Sequence, residues 1–402
     1  MPSDEKRWTM IPDMLCAEPK PLKPEIPGPV YSRDDIRGHT SEFTVAHLPD
    51  LPRSRLDEPT TAVLLFNHMK EQILSIPSFG QPFKLPPIRH RISSHGRYGL
   101  TVHAHEDIVP GELIMRERPL VAYPNVFVTK YLQAAVNTLS EVNQLYFNGL
   151  HNAYPTEDAT YGIAKTNAFN IQSLPGYAED YRAVFKHISR LNHCCSYNAV
   201  FRFDLISFTG EIRARRKIMK GEEITISYIN PAYDYASREE RRQELYTRYR
   251  FICQCRVCIF SDKDSEESDG IRRSIGQRLA HLERLLREHG DRELLEWCLT
   301  PPSNDDNALI NSTHQLLTDM KMQRIYYPRA AGIFISRMCK LYCAKANVIE
   351  AVNWANQAAA LCRAYEGHDG GWAAIAKKPT KTNYWNLKKL PRDVAVDKEM
   401  GF

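Results

Sequence analysis

The alternation of apolar and polar positions divides the chain into a strand-rich middle and a helical C-terminal part. Residues 98–104 and 112–117 alternate as strands do, on either side of a turn at Pro110-Gly111. Strand-like segments return between residues 199 and 229, with a turn predicted at Lys220-Gly221. From residue 271 onward, apolar residues recur every three or four positions, which is typical of amphipathic helices. The pattern predicts an α+β fold followed by an all-α domain of helical hairpins, similar to a tetratricopeptide array.

Helical periodicity also interrupts the strands. It is present at residues 130–150 and 177–191, so a helical insert is predicted at about residues 120–190. The acidic run at residues 261–270 is expected to be a solvated linker. In the C-terminal part, the predicted helices cover residues 271–286, 308–323, 327–346 and 348–365.

The N-terminal segment, residues 1–87, is rich in proline. It holds 14 of the 25 prolines of the chain. Because proline fixes φ and removes a backbone donor, we expect a mostly extended and irregular arm. One helix is predicted near residues 58–75, since Pro59 suits a first helical turn and the apolar residues after it could form one face.

Composition and charge exclude several classes of protein. The chain has 53 Lys and Arg against 48 Asp and Glu, a net charge of +5, and nucleic-acid binders usually show a stronger or clustered basic bias. Direct nucleic-acid binding is therefore not expected. No run of about 18 uncharged apolar residues predicts a membrane span, and the first residues lack the apolar stretch of a secretory signal. We expect a nuclear or cytoplasmic protein.

Half of the ten cysteines lie in two short clusters. Cys253, Cys255 and Cys258 provide three thiols within six residues, a spacing typical of metal binding. Structural zinc takes four ligands in a tetrahedron, so a fourth ligand must come from elsewhere. Cys194 and Cys195 are the only other clustered candidates. The alternative is that the three are reduced structural cysteines with no metal.

Three segments, in this order, resemble the SET-domain lysine methyltransferases. Residues 96–100 (GRYGL) and 110–112 (PGE) are similar to the glycine-rich opening of the family and the turn that follows it. Residues 191–198 (LNHCCSYN) resemble the motif N-H-S-C-x-P-N, in which Cys195 matches the cysteine. Residues 221–228 (GEEITISY) resemble G-E-E-[LI]-T-x-x-Y, and the three-cysteine cluster then corresponds to the post-SET zinc motif.

The resemblance covers about residues 94–260 and is closest to the SET-and-MYND subfamily. Residues 120–190 contain no cysteine, so the MYND zinc finger of that subfamily is expected to be absent. The implied fold is a SET-type arrangement of small β-sheets with a helical insert and a post-SET zinc site. The implied domains are the arm at 1–87, the SET domain at 88–252, the zinc motif at 253–260 and the helical domain at 271–402.

The resemblance also implies S-adenosylmethionine as cofactor, a structural zinc ion, and a set of site residues. Tyr228 would be catalytic, its hydroxyl orienting the lysine amine of a protein substrate. Asn198 is expected instead to cross-link its loop through side-chain hydrogen bonds. The zinc ligands would be Cys195, Cys253, Cys255 and Cys258. The cofactor-binding residues would be Gly96, Arg97, Tyr98, Asn167, Asn192, His193, Tyr249 and Phe251.

Three positions depart from the motifs of the family, and they leave more than one function open. Arg97 stands where the family usually has glycine, Cys194 replaces serine and Tyr197 replaces proline. The leading hypothesis is a protein-lysine N-methyltransferase acting on a histone or non-histone protein. The change at Arg97 supports a second hypothesis, a catalytically silent SET-like module that binds peptides or acts as a scaffold. A third is an adaptor whose helical part, residues 271–402, binds a partner peptide.

Overall fold

A computed structural model describes most of the chain, and the described residues form two compact units. The first, here called the strand-rich unit, comprises Pro19–Ile226 and Leu245–Ile252. The second, the helical unit, comprises Met1–Glu18, Ser227–Glu244 and Cys253–Phe402. Within these bounds the described residues are 10–11, 26, 28–38, 43–51, 58–66, 69–94, 99–126, 129–300, 307–325 and 328–390.

The described residues form twelve strands and twelve α-helices. The strands are β1 Phe43–Leu48, β2 Thr61–Phe66, β3 His90–Ser94, β4 Leu100–Ala104, β5 Leu113–Glu117, β6 Val121–Pro124, β7 Phe169–Ile171, β8 Tyr181–Val184, β9 Asn192–His193, β10 Ala199–Asp204, β11 Thr209–Ala214 and β12 Thr225–Ile226. The helices are α1 Arg33–Gly38, α2 Met69–Leu74, α3 Thr129–Asn137, α4 Glu141–Asn148, α5 Ala159–Asn167, α6 Arg238–Tyr249, α7 Asp262–His289, α8 Arg292–Leu299, α9 Ala308–Met322, α10 Pro328–Ala344, α11 Val348–Glu366 and α12 Trp372–Lys377.

The largest sheet has five strands in the order β1-β2-β6-β8-β7. All six residues of β2 are buried, because this strand lies between β1 and β6. The predicted helix at residues 58–75 is therefore wrong over its first part, and only Met69–Leu74 is helical. A short apolar run fits a buried strand and a helix equally well by periodicity, and here the sheet decides. The predicted N-terminal arm thus supplies two strands of the main sheet.

The predicted insert at residues 120–190 contains strands as well as helices. Helices α3, α4 and α5 lie in it, but the predicted helix at residues 177–191 is wrong, because β8 and a 3-10 helix at Ile188–Arg190 take its place. Tyr181 of β8 is fully buried and donates a hydrogen bond to the Leu64 carbonyl at 3.0 Å. Pairing of β8 with β6 and β7 outweighs the helical spacing of its apolar residues.

Three smaller sheets complete the strand-rich unit. They are the antiparallel sheet β10-β11-β5, the hairpin β3-β4 and the parallel pair β9-β12. The predicted turns at Pro110-Gly111 and Lys220-Gly221 are confirmed, and both glycines have φ of +83°. Only glycine adopts this left-handed conformation without strain. These turns bring Ile108 and Ile218 into an isolated antiparallel bridge.

The helical unit is built from long amphipathic helices. The predicted linker at residues 261–270 is wrong, because these residues are the first turns of α7. Ser261 caps this helix by accepting a hydrogen bond from the Asp264 N–H at 3.2 Å. Acidic residues near a helix N-terminus are favourable, so the charge run that suggested a linker supports a helix start. Among the described helices, none is long and apolar enough to cross a membrane.

Candidate functional site

The two central motifs of the sequence lie on adjacent parallel strands. Strand β9 pairs Asn192 with Thr225 and His193 with Ile226 of β12. The pairing continues past the strand end, where the Cys194 N–H donates to the Ile226 carbonyl at 3.0 Å. Segments that lie far apart in sequence are thereby fixed side by side.

Asn198 cross-links these motifs with its side-chain amide. Its amide nitrogen donates to the Glu223 carbonyl at 2.8 Å and to the Glu222 carboxylate at 3.2 Å, while its amide oxygen accepts from the Thr225 N–H at 2.9 Å. The residue is 1% exposed, so no bulk water competes for these bonds. The expectation that Asn198 is structural is confirmed.

Asn192 and His193 are half-buried and engaged by neighbouring protein groups. The Asn192 amide nitrogen donates to the Glu223 carboxylate at 2.9 Å. The His193 Nε2 atom lies 3.3 Å from the Cys195 sulfur, and its ring centroid is 6.2 Å from that of Phe251. The structure thus brings His193 and Phe251 together. Their contact with a cofactor stays a prediction.

Asn167 ends helix α5 and is tied to two further segments. Its amide nitrogen donates to the Ile163 carbonyl at 2.7 Å and to the His151 carbonyl at 2.6 Å. Its own carbonyl accepts from the Ser189 hydroxyl at 2.9 Å. This network joins the end of α5 to the 3-10 helix that immediately precedes β9.

Tyr228 and Tyr249 are both half-buried, and each lies at the end of a regular element. Tyr228 follows β12 by two residues, and Tyr249 is the last residue of α6. Arg250, next in the chain, has φ of +60°, which turns the backbone sharply before Phe251. The three remaining predicted cofactor residues, Gly96, Arg97 and Tyr98, lie outside the described residues.

Tyr197 and Cys194, which depart from the family motif, have local partners. Tyr197 is buried, and the Arg215 guanidinium lies 3.7 Å from the centroid of its ring. The Cys194 sulfur lies 3.3 Å from the Ser196 hydroxyl. Where the family motif has a rigid proline, this chain has a tyrosine whose ring is held by a cation–π contact.

Four cysteines form a cluster suited to a metal ion. The sulfur atoms of Cys195, Cys253, Cys255 and Cys258 all lie within 4.8 Å of one another, and all but Cys255 are buried. A tetrahedral zinc site with Zn–S bonds of about 2.3 Å has sulfur–sulfur separations of about 3.8 Å, so small shifts complete the geometry. The structure thus brings Cys195, as predicted, together with the three-cysteine cluster in an arrangement that could bind zinc. Zinc ligation itself stays a prediction.

Two arginines of α6, which the sequence analysis did not identify, hold the three-cysteine loop. Arg242 donates to the Cys258 carbonyl at 2.8 Å and to the Cys253 carbonyl at 3.2 Å. The buried Arg241 places a guanidinium nitrogen 3.9 Å from the Cys258 sulfur. Four thiolates and one Zn²⁺ carry a net charge of −2, so a neighbouring cation is electrostatically favourable.

Glu117 is a third residue that the sequence analysis did not identify. This half-buried side chain at the end of β5 accepts hydrogen bonds from the N–H groups of His187 at 2.8 Å and Ile188 at 2.7 Å. Desolvation raises its pKa to about 7. Desolvation and the positive charges of Lys186 and Arg190 lower the pKa of His187 to about 4. Glu117 thus anchors the segment that leads into β9.

Comparison with known proteins identifies the domain that contains these motifs. The SET domain family matches residues 99–229, about a third of the chain. Histone-lysine N-methyltransferase set5 of Schizosaccharomyces pombe is 27% identical over 58% of this chain and 64% of its own length. N-lysine methyltransferase SMYD2 of Gallus gallus is 30% identical over 30% of this chain and 27% of its own length.

One further relative and one solved structure are also similar to this chain. Histone-lysine N-methyltransferase SMYD3 of Mus musculus is 30% identical over 35% of this chain and 31% of its own length. The chain thus spans less than two thirds of each of these relatives. A crystal structure of the SET domain of LSMT, bound to lysine and AdoHcy, overlaps 79% of this chain and 95% of that chain at 11% identity. Its TM-score of 0.31 is too low to establish a shared fold.

Proposed function

We propose that this chain, which contains a SET domain and is homologous to the SET5 and SMYD lysine methyltransferases, is an S-adenosylmethionine-dependent protein-lysine N-methyltransferase. Its substrate would be a lysine side chain of a histone or non-histone protein, the class that the names of the relatives indicate. The observation that most strongly supports the proposal is the parallel pairing of β9 with β12. This pairing fixes the predicted cofactor motif beside the strand that leads to Tyr228.

The chemistry requires positioning more than it requires a strong acid or base. S-adenosylmethionine, when bound, supplies a methyl carbon activated by a positively charged sulfonium. Only a neutral amine attacks such a carbon, and lysine in water, with a pKa of about 10.4, is almost wholly protonated at pH 7. An apolar surrounding lowers that pKa. The Tyr228 hydroxyl would orient the neutral amine in line, and alignment alone contributes up to about 7–11 kcal/mol.

The residues proposed to hold the cofactor are those that the resemblance implies. The described hydrogen bonds of Asn167 and Asn192 use their amide nitrogens, so their amide oxygens suit donor groups of a ligand. The ring of Phe251, tilted by 57° to that of His193 at a centroid distance of 6.2 Å, suits the face of an adenine. Gly96, Arg97, Tyr98 and Tyr249 complete the proposed set.

We assign the four-cysteine cluster to one structural zinc ion. Structural zinc contributes on the order of 10 kcal/mol to folding in zinc-finger peptides. Cys253 follows Phe251 by two residues, so a metal-bound Cys253 would restrict the backbone at Phe251. Zinc would therefore act on the reaction by holding residues, without contact to the reacting atoms.

Calorimetric titration of the zinc-loaded protein with S-adenosylmethionine and S-adenosylhomocysteine tests this function. The proposal predicts saturable binding of one molecule per chain. Absence of binding by the zinc-loaded protein would contradict it. Binding without transfer of label to any protein of a cell extract or protein array would favour the silent SET-like module instead.

The helical unit has a cavity that suits the proposed partner peptide. A cavity of about 320 Å³ lies among α7, α8, α9 and α10, with Leu282, Leu316 and Phe334 in its lining. The lining also includes Arg337, which pairs with Glu293 at 2.7 Å, and Arg278, which lies 4.0 Å from Asp319. Arg278 has the weaker pairing, so it favours an acidic group of the peptide. Fluorescence anisotropy with labelled acidic and basic peptides of equal length tests this, and equal affinity for both would contradict it.

We also propose a nuclear or cytoplasmic location. None of the nine described cysteines is in a disulfide, which suits a reducing compartment. Imaging of the tagged protein in its own cells tests this proposal.

A further inference from the structure

Tyr154 connects two segments that are distant in the sequence. It lies in the loop between α4 and α5, is 8% exposed, and donates a hydrogen bond from its hydroxyl to the Arg248 carbonyl. Arg248 lies in the last turn of α6, one residue before Tyr249. Both segments belong to the strand-rich unit.

Two cations lie against the Tyr154 ring and limit its movement. The Lys165 ammonium is 3.7 Å from the ring centroid, and the Arg250 guanidinium carbon is 5.4 Å from it. Lys165 also forms an ion pair with Glu157 at 2.7 Å, so its position is fixed from a second side. Cation–π contacts of this kind hold a ring and its neighbours in a defined arrangement.

The loop that contains Tyr154 is attached to the end of α5. The Ala153 N–H donates to the Thr166 hydroxyl at 3.0 Å, and the Asn167 amide donates to the His151 carbonyl at 2.6 Å. Gly162 permits this approach, because a Cβ atom there would lie 2.5 Å from the Asn152 amide oxygen. The loop residues next to Tyr154 are therefore attached to the end of α5, at Thr166 and Asn167.

We propose that Tyr154 is a positioning residue for the cofactor site, fixing residues 248–251 relative to Asn167. The inference rests on the proposed function, since Asn167, Tyr249 and Phe251 are the residues expected to surround the cofactor. Phe251 in turn lies against His193. Tyr154 thus connects the two ends of the predicted binding surface without touching the reacting atoms.

Tyr154→Phe tests the inference, because it removes the hydroxyl and keeps the ring between its cations. We expect the Kd and the KM for S-adenosylmethionine to rise about fivefold, the effect of one lost neutral hydrogen bond. The kcat at saturating cofactor should change less than twofold, and the Tm without cofactor should stay within about 2 °C of the wild type. A merely structural role would lower Tm and leave KM unchanged.

Two further variants control the result. Tyr246→Phe removes a hydroxyl from a half-exposed tyrosine of the same helix, and its cofactor affinity should equal that of the wild type. Lys165→Met removes one cation while leaving Tyr154 intact, and it should raise the Kd two- to fivefold. Wild-type affinity in folded Tyr154→Phe would overturn this inference alone. Absence of cofactor binding by the wild type would overturn the proposed function as well.

Discussion

At the scale of single residues, Glu117 has a larger role than its sequence context indicates. No motif includes it, yet its carboxylate accepts two backbone N–H groups at the start of the segment that leads into β9. The partners lie about 70 positions further along the chain, so no local periodicity could have identified the contact. The same is true of Tyr154, whose partner Arg248 lies 94 positions further along the chain.

Glu117 also gives the protein a specific dependence of stability on pH. Its pKa in the folded chain is about 7, raised from the ordinary value of 4.5. The folded state binds this proton more tightly, so the stabilising contribution is complete below pH 4.5 and is lost as the pH rises through 7. Because the side chain is partly exposed, we expect a loss of about 2 kcal/mol, below the full linkage value.

The variant Glu117→Gln isolates this effect. Its amide oxygen still accepts the two N–H groups, but it does not titrate. The free energy of unfolding of Glu117→Gln relative to wild type should therefore rise by about 2 kcal/mol between pH 5 and pH 8. The pKa of His187 is lowered to about 4, so its contribution to the free energy of unfolding is lost as the pH falls toward that value. This contribution is the same in both proteins and cancels from the difference. Urea unfolding at both pH values measures the difference, and a difference independent of pH would contradict this account.

At the scale of elements, the start of α7 shows how the same residues suit two interpretations. Acidic residues without apolar periodicity predicted a linker, whereas Ser261 and the residues after it begin a helix of 28 residues. Charge composition cannot distinguish a linker from a helix start, since acidic side chains are stable both in solvent and near a helix N-terminus. Ser261, the first residue of the run, was the signal that could have identified the helix.

Substituting this capping residue tests the assignment. Ser261→Ala removes the acceptor for the Asp264 N–H and should lower the free energy of unfolding by about 1 kcal/mol. Ser274→Ala, at an exposed position inside the same helix, is the matched control and should change it by less than about 0.5 kcal/mol. Urea titration followed by circular dichroism provides both values. Equal effects of the two substitutions would show that Ser261 is not a functional cap.

Elements with a strong local signal were predicted well. The turns at Gly111 and Gly221, strands β4, β5 and β10, and helices α9 to α11 lie close to their predicted positions. The failures at residues 58–75 and 177–191 share one cause. Both segments are short and apolar on several faces, and their conformation is decided by pairing with strands distant in sequence.

At the scale of the whole molecule, the cysteine cluster is the part of the site that the sequence predicted best. Thiol spacing alone identified three members of the cluster, and the family resemblance selected Cys195 as the fourth. What the sequence could not provide is the set of arginines around the cluster and the network between α5 and β9. Those contacts depend on the fold as a whole.

Metal analysis separates the two candidate cysteines. The chain purified with zinc should hold one zinc ion, and Cys195→Ser should reduce this to less than about 0.1 per chain and lower Tm, because three thiolates bind zinc far more weakly. Cys194→Ser, the adjacent residue, should retain the full zinc content. Inductively coupled plasma mass spectrometry measures both. Loss of zinc from Cys194→Ser with retention in Cys195→Ser would show that Cys194 is the fourth ligand. That result would contradict the proposed assignment.

The most direct test of the central claim measures transfer of a labelled methyl group from S-adenosylmethionine to protein in a cell extract, for wild type and for Tyr228→Phe. We predict that the wild type labels at least one polypeptide on lysine. The variant should transfer about 100-fold more slowly, as expected when an orienting hydroxyl is removed, while its Kd for S-adenosylmethionine stays within twofold. Equal rates for the two proteins, or no transfer by zinc-loaded wild type saturated with cofactor, would contradict the account.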